Sequence, residues 1–545
     1  MVTNKHTPKI IVALMAIAVM LCFLAACYTD ELSTVLGGTG VRMEYETELF
    51  DTDEIITVDI QMDEDEWEKM LSNAISEEYY TCDVTINGTT VKNVAIRPKG
   101  NTSLSSIAMD PDTDRYSFKL EFDHFVEGQT CFGLDKLILN NNYADATNMK
   151  EAIIYDMFQF LDADASLYNY AEVSVNGEYW GVYLALEGVE QSFMLRNYGT
   201  QDGELYKPES MGIGGGDKSG GPGGDMPDMG DFDPSDMPEM GDSVSPPSDS
   251  DEGGSPFGGG FPGGGPSFGG DKDGERPEMP DMGGGGFGSF MSGGGANLNY
   301  SDDDLDSYET IWEGAITDSG KKDHKRVVKA LKNISEGNDI EEYMDVDNIL
   351  KYMAVHTFAV NMDSLSGTMA HNYYLYEYDG QLNVIPWDYN LSFGGMGGGN
   401  DGTDVINDAI DTPFSSTNFF DCLLENEEYL EKYHEYLQKL VDEYVYGGRF
   451  DEVYSRIRSQ IDELVETDPT AFYPYDEYVE AAEVLYETVM LRAKSIEGQL
   501  DGTIPSTDEG QRQDTSSLID GSGLNIEAMG HMNMGNGGSG HHRNQ

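Results

Sequence analysis

Residues 209–299 interrupt the chain with a composition unlike that of the sequence on either side. Stretches such as GGGDKSGGPGGDMPDMGD and GGFPGGGPSFGG are rich in Gly, Pro, Asp and Met and have no strand or helix periodicity. Such a segment cannot bury enough apolar surface to offset the entropy of ordering, so we predict a disordered insertion. The 545-residue chain must fold from the two flanking parts, and it is too long for one hydrophobic core.

The part before the insertion has the patterns of β-strands. IITVDIQM and YSFKLEFD alternate apolar and polar residues, and Asn87-Gly88 and Asn176-Gly177 each lie between two strand-like runs. The segment NMKEAIIYDMFQFL has helical spacing instead. We therefore predict that residues 55–208 form a mostly antiparallel sheet with one important helix.

The part after the insertion is mainly helical, and residues 300–500 form the second predicted region. KKDHKRVVKALKNI and DVDNILKYMAVHTFAV have the spacing of amphipathic helices, and three long helices are predicted nearer the end of this region. Between them lies one hairpin, which turns at Asp379-Gly380 and whose second strand ends at Asp388. Residues 501–545 are polar and Gly-rich, so we predict a disordered tail.

The N-terminus has the pattern of a secretory signal. Lys5 and Lys9 precede an apolar run that ends in LAAC at Cys27, which resembles a bacterial lipoprotein box. We predict a signal peptide over residues 1–27, lipidation of Cys27, a polar tether over residues 28–54 and a membrane-anchored lipoprotein at the cell surface. An uncleaved membrane anchor and a plain secretory signal are the alternatives.

The formal net charge of -68 limits the partners of this chain. It repels nucleic acid backbones and anionic membrane surfaces, and it favours divalent cations. Outside the signal and the lipid site, the cysteines are Cys82, Cys131 and Cys422. Three such widely spaced residues form neither a disulfide framework nor a zinc site, so we predict buried thiols.

A sheet-rich lobe followed by a helical lobe is the layout of a protein kinase. A kinase needs a Lys paired with a helical Glu, a catalytic Asp, and an Asp and an Asn that hold the metal. The sequence has no Walker A motif, no His-Arg-Asp triplet and no Asp-Phe-Gly. Composition and spacing alone therefore leave the acidic residues without assigned roles.

Several separated motifs resemble one known family. The segments IRPKGNTS, NMKEAIIYDMF, GEYWGVYLALEGVEQSFM, GELYKPE and NMDSLSGTMAHNYYLYEYDGQLNVIPWDYNLSFGG occur in this order and are similar to the two halves of the CotH spore-coat kinase family. The resemblance extends from about Ile55 to Glu497 and leaves the insertion and the tail outside. It implies an α+β, two-lobed atypical protein-kinase-like fold, with a β-rich N-lobe and a helical C-lobe.

The same resemblance implies ATP- and metal-dependent phosphorylation of serine on secreted, coat or cell-surface proteins, with Mg or Mn as the metal. Asp388, at the end of the hairpin strand, is then the metal ligand, because a hard cation prefers carboxylate oxygen. Asp363 is the catalytic residue that orients the acceptor hydroxyl and takes its proton. Asn372 is the second predicted metal ligand, and His371 is expected to be a structural hydrogen-bonding residue.

In the first lobe, the resemblance favours an ion pair between Lys119 and Glu151 at the nucleotide. The alternative is a surface lysine on a strand and a helix N-terminal glutamate stabilised by the helix dipole. The further candidates for nucleotide binding are Arg97, Lys99, Asn101, Glu187 and Lys207.

Two other functions are open at this stage. The same fold without catalysis would give a structural protein of a coat or cell surface. An adhesin that binds surfaces through the insertion and its acidic faces is the other alternative. The presence of both Asp363 and Asp388 favours the enzyme.

Overall fold

A computed structural model describes residues 40–208, 295–367, 370–396, 402–414 and 416–532. All of these residues belong to one compact unit. The predicted signal peptide with Cys27, and all but the last five residues of the predicted insertion, lie outside this range. Within the described part of the chain, no helix is long and apolar enough to cross a membrane.

The N-terminal region is built mainly from strands. Its elements are α1 Tyr45–Glu48, β1 Ile56–Gln61, α2 Glu64–Ser72, β2 Tyr80–Ile86, β3 Thr89–Lys99, α3 Thr102–Met109, β4 Ser117–Glu121, β5 Lys136–Asn140, α4 Lys150–Phe160, β6 Tyr168–Val175, β7 Glu178–Glu187, α5 Gln191–Tyr198 and β8 Glu204–Tyr206. Seven strands close into a barrel in the order β1-β2-β3-β4-β5-β7-β6. Only the β1–β6 pair among them is parallel.

The barrel interior is filled by every second residue of its strands, because successive side chains point to opposite faces. Val58, Ile96, Phe118, Leu139 and Val173 belong to this buried apolar cluster. The predicted hairpins turn at the two Asn-Gly pairs, where all four residues have positive φ. Because the apolar residues of β3, β4 and β5 point into the barrel, the residues between them can carry polar side chains on the outer face.

The C-terminal region is helical apart from one hairpin. Its elements are α6 Glu309–Glu313, α7 Lys321–Glu336, α8 Ile340–Tyr343, α9 Val346–Ala359, β9 Tyr373–Tyr378, β10 Gln381–Pro386, α10 Gly402–Ile406, α11 Asp421–Leu424, α12 Glu427–Lys439, α13 Arg449–Thr467, α14 Tyr475–Leu500 and α15 Asp508–Gln513. The hairpin joins β8 in a three-stranded antiparallel sheet, in the order β10-β9-β8. The predicted α+β class, β-rich first and helical second, is confirmed.

Helix α4 connects the two regions. All of its residues from Lys150 to Phe158 are buried, and it packs against α9 and α13 as well as β6. Its side chains share one apolar cluster with Ile138, Leu184 and Leu186 on the outer face of the barrel. Glu151, in its first turn, is therefore held between the barrel and the helices.

Two segments that we predicted to lack structure are ordered, and those predictions are wrong for the described residues. In the predicted tether, Tyr45 and Leu49 are buried because they pack into the barrel cluster. In the predicted tail, residues 501–532 contain α15 and a 3₁₀ turn at Ile526–Met529, in which Ile526 and Met529 are buried in the main core. The three described cysteines are free thiols, as predicted, with Cys422 only partly buried.

Candidate active site

Three side chains lie in one row across the outer face of β3, β4 and β5. The register pairs Lys99 with Ser117, and it pairs Phe118 with Leu139, which places Ser117 beside Asn140. Because Ser117 is small, the longer side chains on either side of it meet. The ammonium of Lys99 donates to Asn140 Oδ1 at 3.1 Å.

Asn140 extends this row to Glu151 on α4. Its Nδ2 donates to Glu151 Oε2 at 2.9 Å. The backbone N–H of Tyr389 donates to Glu151 Oε1 at 3.4 Å. Since Tyr389 directly follows Asp388, the Lys99–Asn140–Glu151 bridge reaches the segment that carries the predicted metal ligand.

Lys119, the predicted partner of Glu151, lies one row further along β4. Its neighbour across the sheet is Arg97, and its charge acts on Glu121 of the same strand. The lysine charge that acts on Glu151 is that of Lys99. The predicted pair is therefore corrected: Lys99 takes the place of Lys119, and Asn140 connects it to the carboxylate.

The loop after α9 holds Asp363 by two neighbouring side chains. His371 Nε2 lies 2.7 Å from Asp363 Oδ1. Asn372 Nδ2 donates to the Asp363 carbonyl at 2.8 Å and to Oδ2 at 3.1 Å. Both carboxylate oxygens of Asp363 are thus oriented, and His371 makes the structural hydrogen bond that we expected of it.

Asp388 lies just past β10, after Trp387, and its backbone is left-handed with φ 63°. A left-handed backbone costs a residue other than glycine roughly 1–2 kcal/mol, so the surroundings must hold it. The side chain of Asn361 donates to the Asp388 carbonyl at 3.2 Å and accepts from the Asp363 N–H at 3.1 Å. One amide therefore fixes both aspartate backbones relative to each other.

A buried histidine, His356, also connects the segment that contains Asp363 with the segment that contains Asp388. His356 Nδ1 lies 3.0 Å from the Tyr389 hydroxyl, and Nε2 lies 2.8 Å from Ser366 Oγ. Burial lowers the pKa of His356 to about 3. The ring is therefore neutral, with one nitrogen donating and the other accepting. His356 is a structural anchor for the segments around Asp363 and Asp388.

The carboxylates of the site repel one another. Burial raises the pKa of Asp388; Lys99 opposes this effect and the charge of Asp363 adds to it. Burial, followed by the charge of Asp388, raises the pKa of Glu151 to about 8. Burial also lowers the pKa of Lys99, although Asp388 counteracts this. An added cation would relieve the repulsion between the acidic groups.

Lys207, which follows β8, brings a second cation near Lys99 and Asp388. Its charge acts on both Lys99 and Asp388. Two aromatic rings line this side: the Lys99 ammonium lies 5.6 Å from the Trp387 ring and the Lys207 ammonium lies 5.9 Å from the Tyr374 ring. The rings themselves meet edge to face at 5.3 Å. Lys207 thus lies near the other charged groups of the site, and its role in nucleotide binding stays a prediction.

Arg97 and Asn101 lie at the margin of this arrangement. The Arg97 guanidinium pairs with Glu77 and lies 5.3 Å from the Tyr79 ring, while its charge also acts on Lys99. Asn101 is exposed at the N-terminus of α3. Neither position supplies an independent argument for contact with a nucleotide.

Glu187 is placed away from the site, and the nucleotide-binding role that we predicted for it is corrected. Across the sheet it pairs with Leu137, whose side chain lies in the barrel interior. Its carboxylate accepts from the Arg196 guanidinium at 2.9 and 2.6 Å and from the Tyr45 hydroxyl at 2.6 Å. Glu187 is therefore part of a buried structural ion pair.

The sequence interpretation missed three residues that connect the site: Asn140, Asn361 and His356. A signal existed for the first, since Asn140 ends the buried strand LILN with a polar side chain. The signal for Asn361 is its position, because it is a polar residue only two residues before Asp363. His356 has no local signal, because its partners lie on separate segments.

Together these features define an α+β protein with a polar cluster, in which a lysine–asparagine–glutamate bridge meets two aspartates and a second lysine. A family model described as CotH kinase protein matches residues 96–252 and 273–496. The chain belongs to this family, as the resemblance indicated. No curated protein matches the chain.

The matched ranges differ from the expected extent in two ways. The match begins at residue 96, so β1 and β2 lie before it. It also includes residues 209–252 and 273–299, which we had placed outside the family as part of the insertion. Residues 497–545 lie beyond its end, and they include the ordered C-terminal segment.

Proposed function

We propose that the protein is an ATP- and metal-dependent protein kinase that phosphorylates serine, with an atypical protein-kinase fold. The observation that carries this proposal is the meeting of the Lys99–Asn140–Glu151 bridge with the segments of Asp363 and Asp388. Phosphoryl transfer needs a cationic clamp, a carboxylate for the metal and a carboxylate at the acceptor hydroxyl. This cluster of residues has candidates for all three roles.

Lys99 and Lys207 are the groups proposed to bind the phosphates of ATP. Their charges act on each other and on Asp388, so both lie within reach of one polyanion. Glu151 orients Lys99 through Asn140, which leaves the remaining N–H groups of the ammonium for phosphate oxygens. In kinases a glutamate contacts this lysine directly. Here Asn140 lies between them, and it bonds to Lys99 on one side and to Glu151 on the other.

Asp388 and Asn372 fit a hard divalent cation. Mg²⁺ is usually held by one or two carboxylates, with phosphate and water completing its shell. Among the residues that the structure describes, no three His, Cys, Asp or Glu side chains cluster as metal ligands, and an Asp–Asn set does not require such a cluster. Asn372 uses Nδ2 toward Asp363, so its Oδ1 can face a cation. A bound Mg or Mn would neutralise charge on the phosphates.

Asp363 is the proposed catalytic base. Its two oxygens are oriented by His371 and Asn372, which leaves further lone pairs for the hydroxyl of a serine. A carboxylate held in this way positions the hydroxyl and accepts its proton as the serine oxygen bonds to the γ-phosphorus and the bond from that phosphorus to the ADP oxygen breaks. Because Asn361 fixes Asp363 relative to Asp388, base and metal ligand move together.

The proposed substrates are secreted, coat or cell-surface proteins, and the proposed location is the cell surface through a lipid at Cys27. This follows from the lipoprotein-like N-terminus and from the family. Cys27→Ala should release the protein into the medium or block its processing, as membrane fractionation would reveal. Retention of an intact, uncleaved N-terminus in the membrane would support a transmembrane anchor instead.

The direct test of the function uses the chain without residues 1–27, labelled ATP, Mg or Mn, and a mixture of secreted proteins. We expect label on serine in the parent and roughly a hundredfold slower labelling in Asp363→Asn. A parent that neither transfers label nor binds ATP more tightly with metal would contradict the proposal. The same fold would then serve as a structural protein or an adhesin.

A further inference from the structure

The last described part of the chain, residues 521–532, contacts the start of the helix that carries Glu151 and the turn that follows Asp388. We name it the C-terminal strap. Ile526 and Met529 anchor it in the core, 4% and 0% exposed, against α14. The strap lies outside the matched range, which ends at residue 496. It is therefore an addition of this chain to the part that the family model describes.

On one side, the strap contacts the start of α4. The Met529 carbonyl accepts from the Ala146 N–H at 3.1 Å. The Gly530 carbonyl accepts from the buried ammonium of Lys150 at 3.3 Å. Lys150 is the first residue of α4 and directly precedes Glu151, so the strap holds the helical turn that carries this carboxylate.

On the other side, the strap contacts the turn that follows Asp388. The Met532 N–H donates to the Gly395 carbonyl at 2.9 Å, and Met532 and Met396 form a parallel β-bridge. Gly395 is tied back toward the aspartate because its own N–H donates to the Leu391 carbonyl at 3.1 Å. The strap therefore spans from the helix of Glu151 to the segment of Asp388.

We propose that the C-terminal strap is a positioning element, which keeps Glu151 and Asp388 in the arrangement that binds metal and nucleotide. This inference rests on the proposed kinase function. The strap contacts none of the groups proposed to react. It acts through the first turn of α4 and the turn after Asp388, each of which carries one acidic residue of the site.

Gly530 offers a precise way to detach the strap. Its φ is +82°, and a Cβ there would lie 2.5 Å from the Ala144 carbonyl oxygen and 2.8 Å from the Ala146 nitrogen. Gly530→Ala must therefore move the strap away from the segment that leads into α4. Gly523 is the matched control: it lies in the same segment and is exposed, and a Cβ at this position would have nothing within 4 Å.

A second pair of variants tests the other contact. Met532→Pro removes the N–H that bonds to Gly395, and it lies so near the end of the described chain that the core should fold without it. Met532→Ala keeps this N–H and changes the side chain alone. The two pairs separate detachment of the strap from general damage to the protein.

The experiment measures the affinity of the chain without residues 1–27 for ATP with Mg, and kcat and KM for transfer. We expect Gly530→Ala and Met532→Pro to weaken metal–ATP binding about tenfold and to raise KM, because Glu151 and Asp388 lose their alignment. Gly523→Ala and Met532→Ala should stay within about twofold of the parent. Binding and kinetics unchanged in Gly530→Ala would overturn the proposal.

Amide hydrogen exchange distinguishes a failure of this inference from a failure of the kinase proposal. If the parent neither binds metal–ATP nor transfers phosphate, the proposed function fails by itself. Protection of the first turn of α4 then decides on the strap: its loss in Gly530→Ala but not in Gly523→Ala supports the coupling. Equal protection in both variants would contradict it.

Discussion

The barrel half of the candidate site and the loop half hold their side chains by different means. In the barrel half, Lys99, Asn140 and Glu151 come from two strands and a helix, and their side chains bond directly. In the loop half, the aspartates lie on irregular backbone, and neighbouring amides fix that backbone. Strand register therefore sets one half, whereas loop hydrogen bonds set the other.

The two halves should therefore respond differently to substitution. A change on the barrel removes one charge from a rigid scaffold, so binding weakens while the remaining groups keep their places. The loop half contains residues with positive φ at Asn372 and Asp388, and its hydrogen bonds counteract that strain. We therefore expect the largest losses from the loop half.

Asp388→Ala should have the largest effect, because it removes the carboxylate proposed to hold the metal. We expect phosphate transfer to fall about a thousandfold or more, measured with labelled ATP. Asp339→Ala is the control, since Asp339 also has a left-handed backbone, with φ 43°, but is exposed at the start of α8. Comparable losses in both variants would mean that strain, rather than the missing ligand, explains the result.

Asp363→Asn should come next, because the amide keeps the shape of the side chain but is no base. Turnover should fall by roughly two orders of magnitude while ATP affinity stays near that of the parent. Calorimetry and a transfer assay together separate these quantities. Asp411→Asn is the control, because Asp411 also lies 2.7 Å from a histidine, His434, outside the site.

Lys99→Met and Lys119→Met test the register of the barrel half. These lysines lie on the same outer face of adjacent strands, but only Lys99 shares the row of Asn140. We expect Lys99→Met to weaken ATP binding about tenfold, which corresponds to about 1.4 kcal/mol. Lys119→Met should change it less than about twofold. A larger loss of ATP affinity in Lys119→Met than in Lys99→Met would instead support the Lys119–Glu151 pair that we predicted from the sequence.

Glu151→Gln should have the smallest effect on transfer, because the amide oxygen of Gln can still accept from Asn140 Nδ2 and so keep Lys99 oriented. Its effect on stability depends on pH. The pKa of Glu151 rises from 4.5 to about 8 on folding, so the folded chain holds a proton that the unfolded chain has lost between these pH values. Parent stability should therefore fall as pH rises from about 4.5 to 8.

At pH 8 the neutral Gln should stabilise the metal-free protein by an amount on the order of a few kcal/mol relative to the parent, and this advantage should vanish below pH 4.5. Urea unfolding at several pH values measures the difference. A parent curve with no additional loss of stability across this range, relative to Glu151→Gln, would contradict the buried, repelled carboxylate that the structure places here.

The sequence predicted features that depend on contiguous residues. The hairpin turn at Asp379-Gly380 and the long helices follow from local spacing, and Asp363 and Asp388 lie in one stretch that resembles the family. The Lys99–Asn140 contact joins residues 41 positions apart across an intervening strand. Its recognition requires the register of three strands, which alternation within single strands does not supply.

The C-terminal segment was misjudged for a different reason. Its Gly-rich, polar composition indicated disorder, yet Ile526 and Met529 are enough to anchor a short turn against α14. Most of the other contacts of the strap use backbone groups, and composition carries no information about these. Long-range backbone pairing thus escaped sequence reasoning in the tail just as it did in the barrel.

The affinity of the chain without residues 1–27 for ATP, measured by calorimetry with and without Mg or Mn, tests whether both halves form one metal–nucleotide site. If the barrel half binds phosphates and Asp388 holds the metal, metal should strengthen ATP binding in the parent and have no such effect in Asp388→Ala. Equal ATP affinity with and without metal in the parent, or full metal dependence in Asp388→Ala, would contradict a single metal–nucleotide site built from both halves.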